Sequence, residues 1–352
     1  MRLSSVFAVV RAGLIAAPLC ACSTLGYYGH LAHGELSLLA AREPIARVLA
    51  DPASDAQLKT RLQLAQAARD FASTTLRLPR NRSYTSYADL GRPYATWNVF
   101  AAPEFSVEPV HHCFLFAGCL AYRGYFDERK AADEAGRLRA LGYETWIGGS
   151  SAHSTLGWFA DPILNTMLRS DDDALAATIF HELAHQLLYV KGDTQFNESF
   201  ATFVQREGLR QWRRARGLRA TAESAQARDN QFTNLVLALR ERLRMLYAQP
   251  LAPAEMRARK REEIARLRAD YLHLRDTQWG GSGDYDGWIS AEINNAKLAP
   301  FGIYDGWVTA FAALYARNGN DWENFYAAVR ELARRGAPAR ARALDALQEQ
   351  PR

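Results

Sequence analysis

Two histidines four residues apart, His181 and His185, with Glu182 beside the first and Glu198 further along, constrain this chain more than any other feature. On a helix, side chains at i and i+4 leave the same face one turn apart, so both imidazoles reach one tetrahedral Zn²⁺. Glu182 is placed to act on water as a general base rather than to ligate, as the H-E-x-x-H spacing implies. A catalytic zinc site takes three protein ligands and keeps one position open, so a third ligand is required. Glu198 fills that role. Gly192 breaks the first helix, a second apolar-periodic helix opens at Thr194 to Asn197, and the chain reversal returns Glu198 toward the histidines.

The flanking residues favour a helix here. Ser170 and Asp171 to Asp173 supply an N-cap and a negative first turn, Ile179, Leu183, Leu187 and Val190 form an apolar stripe, and Lys191-Gly192 is a stop signal. A buried helix whose histidines are merely hydrogen-bonded leaves Glu198 and Asn197 without a purpose.

The first residues read as a processing signal. Arg2 gives a positive start, and Val6 to Leu19 is apolar apart from Arg11 and too short to span a bilayer. Leu19-Cys20-Ala21-Cys22 resembles a bacterial lipobox. That resemblance implies cleavage of residues 1–21, lipidation of Cys22, and a body held on the periplasmic side of the cell envelope, with Ser23 pointing to the outer rather than the inner membrane. An ordinary secretory signal is the alternative. The formal charge of +5 shrinks once Arg2 and Arg11 are removed, so no nucleic-acid partner is expected. Cys113 and Cys119 are the only cysteines of the body. They form either a disulfide or two buried thiols; one continuous strand would hold positions six apart out of reach.

The rest of the chain suggests an α+β, mostly helical fold. Apolar periodicity from Gly34 to Ala50 and from Ala53 to Thr75 predicts an N-terminal helical hairpin within 22–80. Residues 81–352 then form a second unit. Its 81–160 part has strand-like runs at Tyr94 to Phe100, Cys113 to Tyr122 and Glu144 to Ile147, read as one small β-sheet, with a helix at 127–141. The zinc-site helices occupy 170–218, an Arg-rich helical hairpin 220–276 broken near Gln249 to Pro253, and further helices 277–352, at 288–298, 303–317, 321–335 and 337–348.

The His181/Glu182/His185 helix with Glu198 on the next one resembles the gluzincin zinc peptidases. More narrowly, Gly118 to Phe126, Ser154 to Phe159, the zinc region and Asn294 to Leu298 resemble a bacterial family described as predicted aminopeptidases. The resemblance implies a gluzincin-like fold with the small sheet preceding the zinc helix, and zinc-dependent hydrolysis of peptides, with Glu182 as general base. It also implies that a sheet edge, from Cys113 to Phe126 or from Glu144 to Ser150, binds substrate backbone by strand addition. A Tyr or His downstream of the zinc helices then stabilises the oxyanion. Tyr304, taken to start a helix, is the first choice and Tyr285 the second. Asn294 or Asn295 is expected to bind substrate backbone, Asn197 and Thr202 to support the ligands, and Glu207 or Asp161 to hold a substrate ammonium. An envelope endopeptidase, or a lipoprotein scaffold with structural zinc, remains the alternative. No protein partner is indicated.

Overall fold

The computed structural model describes residues 25–114, 118–218 and 221–349. The signal segment and Cys22 lie outside these residues. The described chain is α+β and mostly helical, with three small β-sheets. Among the described residues no helix is long and apolar enough to cross a membrane.

Residues 25–40 form helix α1, followed by the two-residue strand β1 (Glu43–Pro44), α2 (Ile45–Ala50) and α3 (Ala56–Thr74). The helix expected from Gly34 to Ala50 is therefore interrupted. Pro44 cannot continue a helical hydrogen-bond ladder, and Glu43 and Pro44 instead pair with β2 (Ser86–Ala88). Asp55 starts α3 by accepting from Leu58 N at 2.8 Å. Leu62, Ala65, Ala68 and Ala72 form its buried face, and the small side chains allow a neighbouring helix to approach closely.

Strand β3 (Thr96–Pro103) is the centre of a sheet flanked on both sides by antiparallel strands, β6 (Tyr122–Tyr125) and β7 (Tyr143–Ser150). Helix α4 (Glu128–Ala140) joins β6 to β7 and packs Ala131, Ala135 and Leu138 with Trp97, Val99 and Tyr125. The run expected as one strand from Cys113 to Tyr122 is instead the hairpin of β4 (His112–Phe114) and β5 (Gly118–Leu120) followed by the start of β6. Because the chain folds back, Cys113 and Cys119 face each other with Cα atoms 3.8 Å apart and are joined by a disulfide. A third sheet places β2 between β1 and β8 (Ile163–Leu164). The single small sheet read from the sequence is thus three separate ones, since a short strand pairs wherever a buried neighbour presents an edge.

Helices α5 (Asp172–Leu187) and α6 (Thr194–Ala215) are antiparallel and sit in the main core. Phe180, Phe196 and Phe200 pack there with α3 and with α11 (Val308–Arg317) and α12 (Trp322–Ala333). Gly208 of α6 lets the helices cross closely, because a Cβ there would lie 2.7 Å from Leu76 and 3.1 Å from Phe180. Helices α7 (Thr221–Tyr247) and α8 (Pro253–Thr277) form the expected hairpin around a second core of Phe232, Val236, Leu239, Leu243, Leu267 and Tyr271. The helix expected at 288–298 is two: α9 (Asp286–Ser290) and α10 (Asn295–Tyr304). Asn294 starts the second by accepting from Lys297 N at 3.0 Å. Helix α13 (Ala337–Gln348) closes the described chain against α11.

Candidate metal centre

The start of α5 is fixed by Asp171, whose carboxylate accepts from Ala174 N at 2.7 Å. Ser170 lies one residue before this cap. Arg213 near the end of α6 binds Asp173 at 2.7 and 2.9 Å, which aligns the two helices antiparallel. The other end of α5 departs from expectation, because the helix stops at Leu187 rather than running to Val190. Asn197 is the reason: its side chain accepts from Val190 N and donates to Val190 O, both at 2.8 Å, so these groups bond to the next helix instead of extending α5. Gly192 turns the chain at φ +79°, and Asp193 caps α6 by accepting from Phe196 N at 3.0 Å. Gly118 of the disulfide hairpin packs on this turn, where a Cβ would lie 2.6 Å from Gly192 N.

This reversal brings Glu198 to the two histidines. His185 Nε2 lies 3.1 Å from His181 Nε2, and Glu198 Oε2 lies 3.2 Å and 3.4 Å from the same nitrogens of His181 and His185. Among the described residues these three are the group of His, Cys, Asp and Glu side chains arranged to hold a metal ion. Two zinc–ligand bonds of about 2.0–2.1 Å in a tetrahedron place their ligand atoms about 3.3–3.4 Å apart, so the observed triangle has nearly the right size. The donor chemistry fits as well. His181 Nδ1 meets Gln205 Oε1 at 2.9 Å, so Nδ1 carries the proton and the Nε2 lone pair points at the carboxylate. The lone pairs of His181 Nε2 and Glu198 that converge here need a cation, or a proton, between them, and His185 Nδ1, buried without a partner among the described residues, leaves its Nε2 free to serve as a third ligand atom. Burial works against charge on both Glu198 and His185; their mutual attraction wins, holding Glu198 down to about 2 and raising His185.

Glu182 behaves differently from Glu198. It is half-buried, lines the same cavity, and has no hydrogen-bond or ion-pair partner among the described residues. The cavity has a volume of about 450 Å³ and runs from the metal ligands past Tyr122, Gly124 and Ser150 of the β3 sheet to Tyr27, Tyr28 and Leu31 of α1. A cleft of about 1030 Å³ lies elsewhere, between α6, α7 and α11, and contains none of the metal ligands.

Tyr304 is in the cavity, with its ring stacked 6.2 Å from that of His181. It is the last residue of α10, not the first of a helix. Ser199, next to Glu198, holds that helix end by donating to Ile303 O and accepting from Trp307 N, both at 3.2 Å. Burial, followed by the charge of Glu198, pushes the Tyr304 phenol well above its usual range, so it stays protonated and able to donate.

Other sequence candidates are placed elsewhere. Tyr285 stacks 3.8 Å from Phe232 in the second core. Asn294 caps α10, and its amide also reaches Thr145 O at 3.3 Å. Asn295 is fully buried; it donates to Pro103 O and Glu104 O at 3.0 and 2.9 Å and accepts from Tyr247 Oη at 3.0 Å. Neither asparagine lines the cavity. Asp161 accepts from Thr155 N and Oγ1, Ser154 Oγ and Gln186 Nε2 beneath the 154–159 loop, while Glu207 binds Arg210 and Gln211 at the larger cleft. Thr202 is buried in α6 and does not line the cavity. The sequence reading missed Gln205, although it lies two helical turns from Glu198 on the same face of α6. It also missed Tyr122 and Tyr189 in the cavity wall, which no spacing rule marks.

No curated protein and no solved structure matches this chain. A family model described as "Putative aminopeptidase" matches residues 26–344, from α1 through α13, and the chain therefore belongs to that family.

Proposed function

We propose that this protein is a zinc-dependent peptidase of the gluzincin type that acts on peptide N-termini. The observation that carries this reading is the convergence of His181, His185 and Glu198 in the wall of a cavity that also exposes the unpaired carboxylate of Glu182. These three side chains would hold the ion. When bound, zinc supplies Lewis acidity toward water and the scissile carbonyl. Glu182 accepts a proton from the attacking water and passes it to the leaving amine. Tyr304 donates its phenolic proton in a hydrogen bond to the oxyanion. Gln205 fixes the His181 tautomer, so that Nε2 faces the ion.

Metal content and peptide turnover measured together test this. Glu182→Gln should keep stoichiometric zinc and lose about 10²–10⁴-fold in turnover, the usual contribution of general-base catalysis. His185→Ala should lose both. Full turnover in Glu182→Gln would take the general-base role away from Glu182, whereas a wild type without turnover and a cellular phenotype left intact by Glu182→Gln would favour the scaffold reading.

From Arg2, the apolar run Val6 to Leu19 and the lipobox-like Leu19 to Cys22, we also propose lipid anchoring at Cys22 on the periplasmic side of the envelope, at the outer membrane. Radiolabelled palmitate should enter the wild type and not Cys22→Ser; equal labelling of the two would remove this assignment.

A further inference from the structure

Among the described residues β6 pairs with β3 on one side only, so the cavity wall at β6 is an open sheet edge. Along a strand, the backbone groups of every second residue point to the same side. On the outer side of β6 these belong to Tyr122, Gly124 and, just past the strand, Phe126. The Tyr122 end is next to the metal ligands: Tyr122 packs in one small cluster with Tyr304, and Tyr304 stacks on His181. The Phe126 end is remote from them, and there α1 takes the outward groups. Tyr27 Oη donates to Gly124 O at 3.0 Å, and Phe126 N donates to His30 Nε2 at 3.0 Å.

Helix α1 is held firmly in this position. Arg123 lies 3.9 Å over the Tyr27 ring, and Glu35 meets His153 at 2.8 Å across the cavity end. Gly34 rests directly on the Phe126 ring, where a Cβ would lie 2.2 Å from the nearest ring carbon. Burial, with Lys130 nearby, keeps His30 below its usual range, which suits a neutral ring accepting the Phe126 amide.

We infer that α1 is a stop that limits how much peptide can precede the scissile bond. β6 runs away from the metal ligands toward α1. A peptide adding to its edge in antiparallel sense, the slightly stronger pairing, runs in the opposite direction, so its N-terminal side points at α1. Only the two-residue stretch from Tyr122 to Gly124, about 7 Å, is available before Tyr27 closes the edge. The edge therefore accepts about one or two substrate residues ahead of the cleaved bond. Tyr28 and Leu31 line this closed end and would contact the first side chain of the substrate. This inference rests on the peptidase reading and adds to it a physical reason for trimming from the N-terminus rather than cutting internally. In parallel addition the same stop would face the C-terminal side, giving a carboxypeptidase.

The test is to map first-cut positions by mass spectrometry on unstructured ten-residue peptides, using the full zinc-loaded protein. The wild type should cut after the first or second residue. In Gly34→Ala the added methyl must push α1 off Phe126, and cuts after the third or a later residue should rise roughly tenfold, within the range expected when a steric limit is relaxed. Leu31→Ala, which widens the closed end without moving the helix, should shift cuts in the same direction and serves if Gly34→Ala folds poorly. Internal cuts by the wild type, sequential loss from the C-terminus, or first-cut positions unchanged in both variants would overturn the stop while leaving a peptidase. No cleavage by zinc-loaded wild type would overturn the peptidase reading and the stop together.

Discussion

Helices α6 and α10 both bury polar side chains, and they do so for opposite reasons. In α10 the buried Asn295 is fully occupied by the protein: it spans two carbonyls at the end of β3 and the Tyr247 hydroxyl, while its backbone amide donates to Glu144 Oε2 at 2.7 Å. Lys260 of α8 completes this knot, with Glu104 O at 2.9 Å and an ion pair to Glu144. In α6 the buried Glu198 meets the Nε2 atoms of two imidazoles, and Gln205 turns the lone pair of one of them, His181, toward it. Buried polar groups cost free energy unless paired. Closed networks therefore indicate architecture, and converging metal-ligating atoms mark a place that could hold a cation.

The largest effect should come from Glu198. Glu198→Ala removes one of three ligands, so zinc stoichiometry in the purified protein should collapse and turnover should fall at least as far as loss of the base, about 10²–10⁴-fold. Zinc retained at full occupancy would show that another group ligates. The metal-free protein offers a second view of the same residue. Its Glu198 is held down from 4.5 to about 2, a depressed carboxylate, so its contribution to stability is complete above pH 4.5 and is lost as the pH falls toward 2. Chemical denaturation of metal-free Glu198→Gln should lose that part of the acid dependence; an acid profile parallel to that of wild type would contradict the pairing.

Tyr304 comes next, because it is neither one of the three metal-ligating side chains nor the base but adds a donor. Tyr304→Phe keeps the ring on His181 and removes only the hydroxyl. Turnover should drop about 10²–10³-fold, the cost of one oxyanion donor, with zinc content unchanged. Unchanged turnover would pass the role to Tyr122 or Tyr189, two of the other four phenols of the cavity.

How much of this was legible in the sequence follows from the range of the interactions. The metal helices were readable because their signals are local: a four-residue histidine spacing, Asp caps and Gly192. Glu198 was readable because a short reversal leaves few places for the next helix. The early end of α5 was not, since it depends on Asn197 reaching back to Val190. The strand runs of 94–100, 113–122 and 144–147 were located but not their partners, and β1, β2 and β8 were not located, because runs this short pair by contacts far away in sequence, as β2 does with β8. The disulfide stayed open for the same reason: the fold-back between Cys113 and Cys119 leaves no periodic signal. Contacts of α1 with Gly124 and Phe126 span nearly a hundred residues, and no motif announces them.

Asn295 gives the smallest effect on chemistry and the clearest test of the comparison. A substrate-binding amide and an architectural one respond differently to removal. Asn295→Ala takes one donor each from Pro103 O and Glu104 O, which keep Ser106 N and Lys260 Nζ, and leaves the Tyr247 hydroxyl without its acceptor. An unpaired buried group of this kind costs about 1–3 kcal/mol before relaxation, so the midpoint of urea unfolding should move downward. The cavity and the metal ligands share no contact with this side chain, so kcat and KM of the folded fraction should match wild type. A raised KM with unchanged stability would return Asn295 to the substrate and show that a closed hydrogen-bond network is not a sufficient sign of architecture.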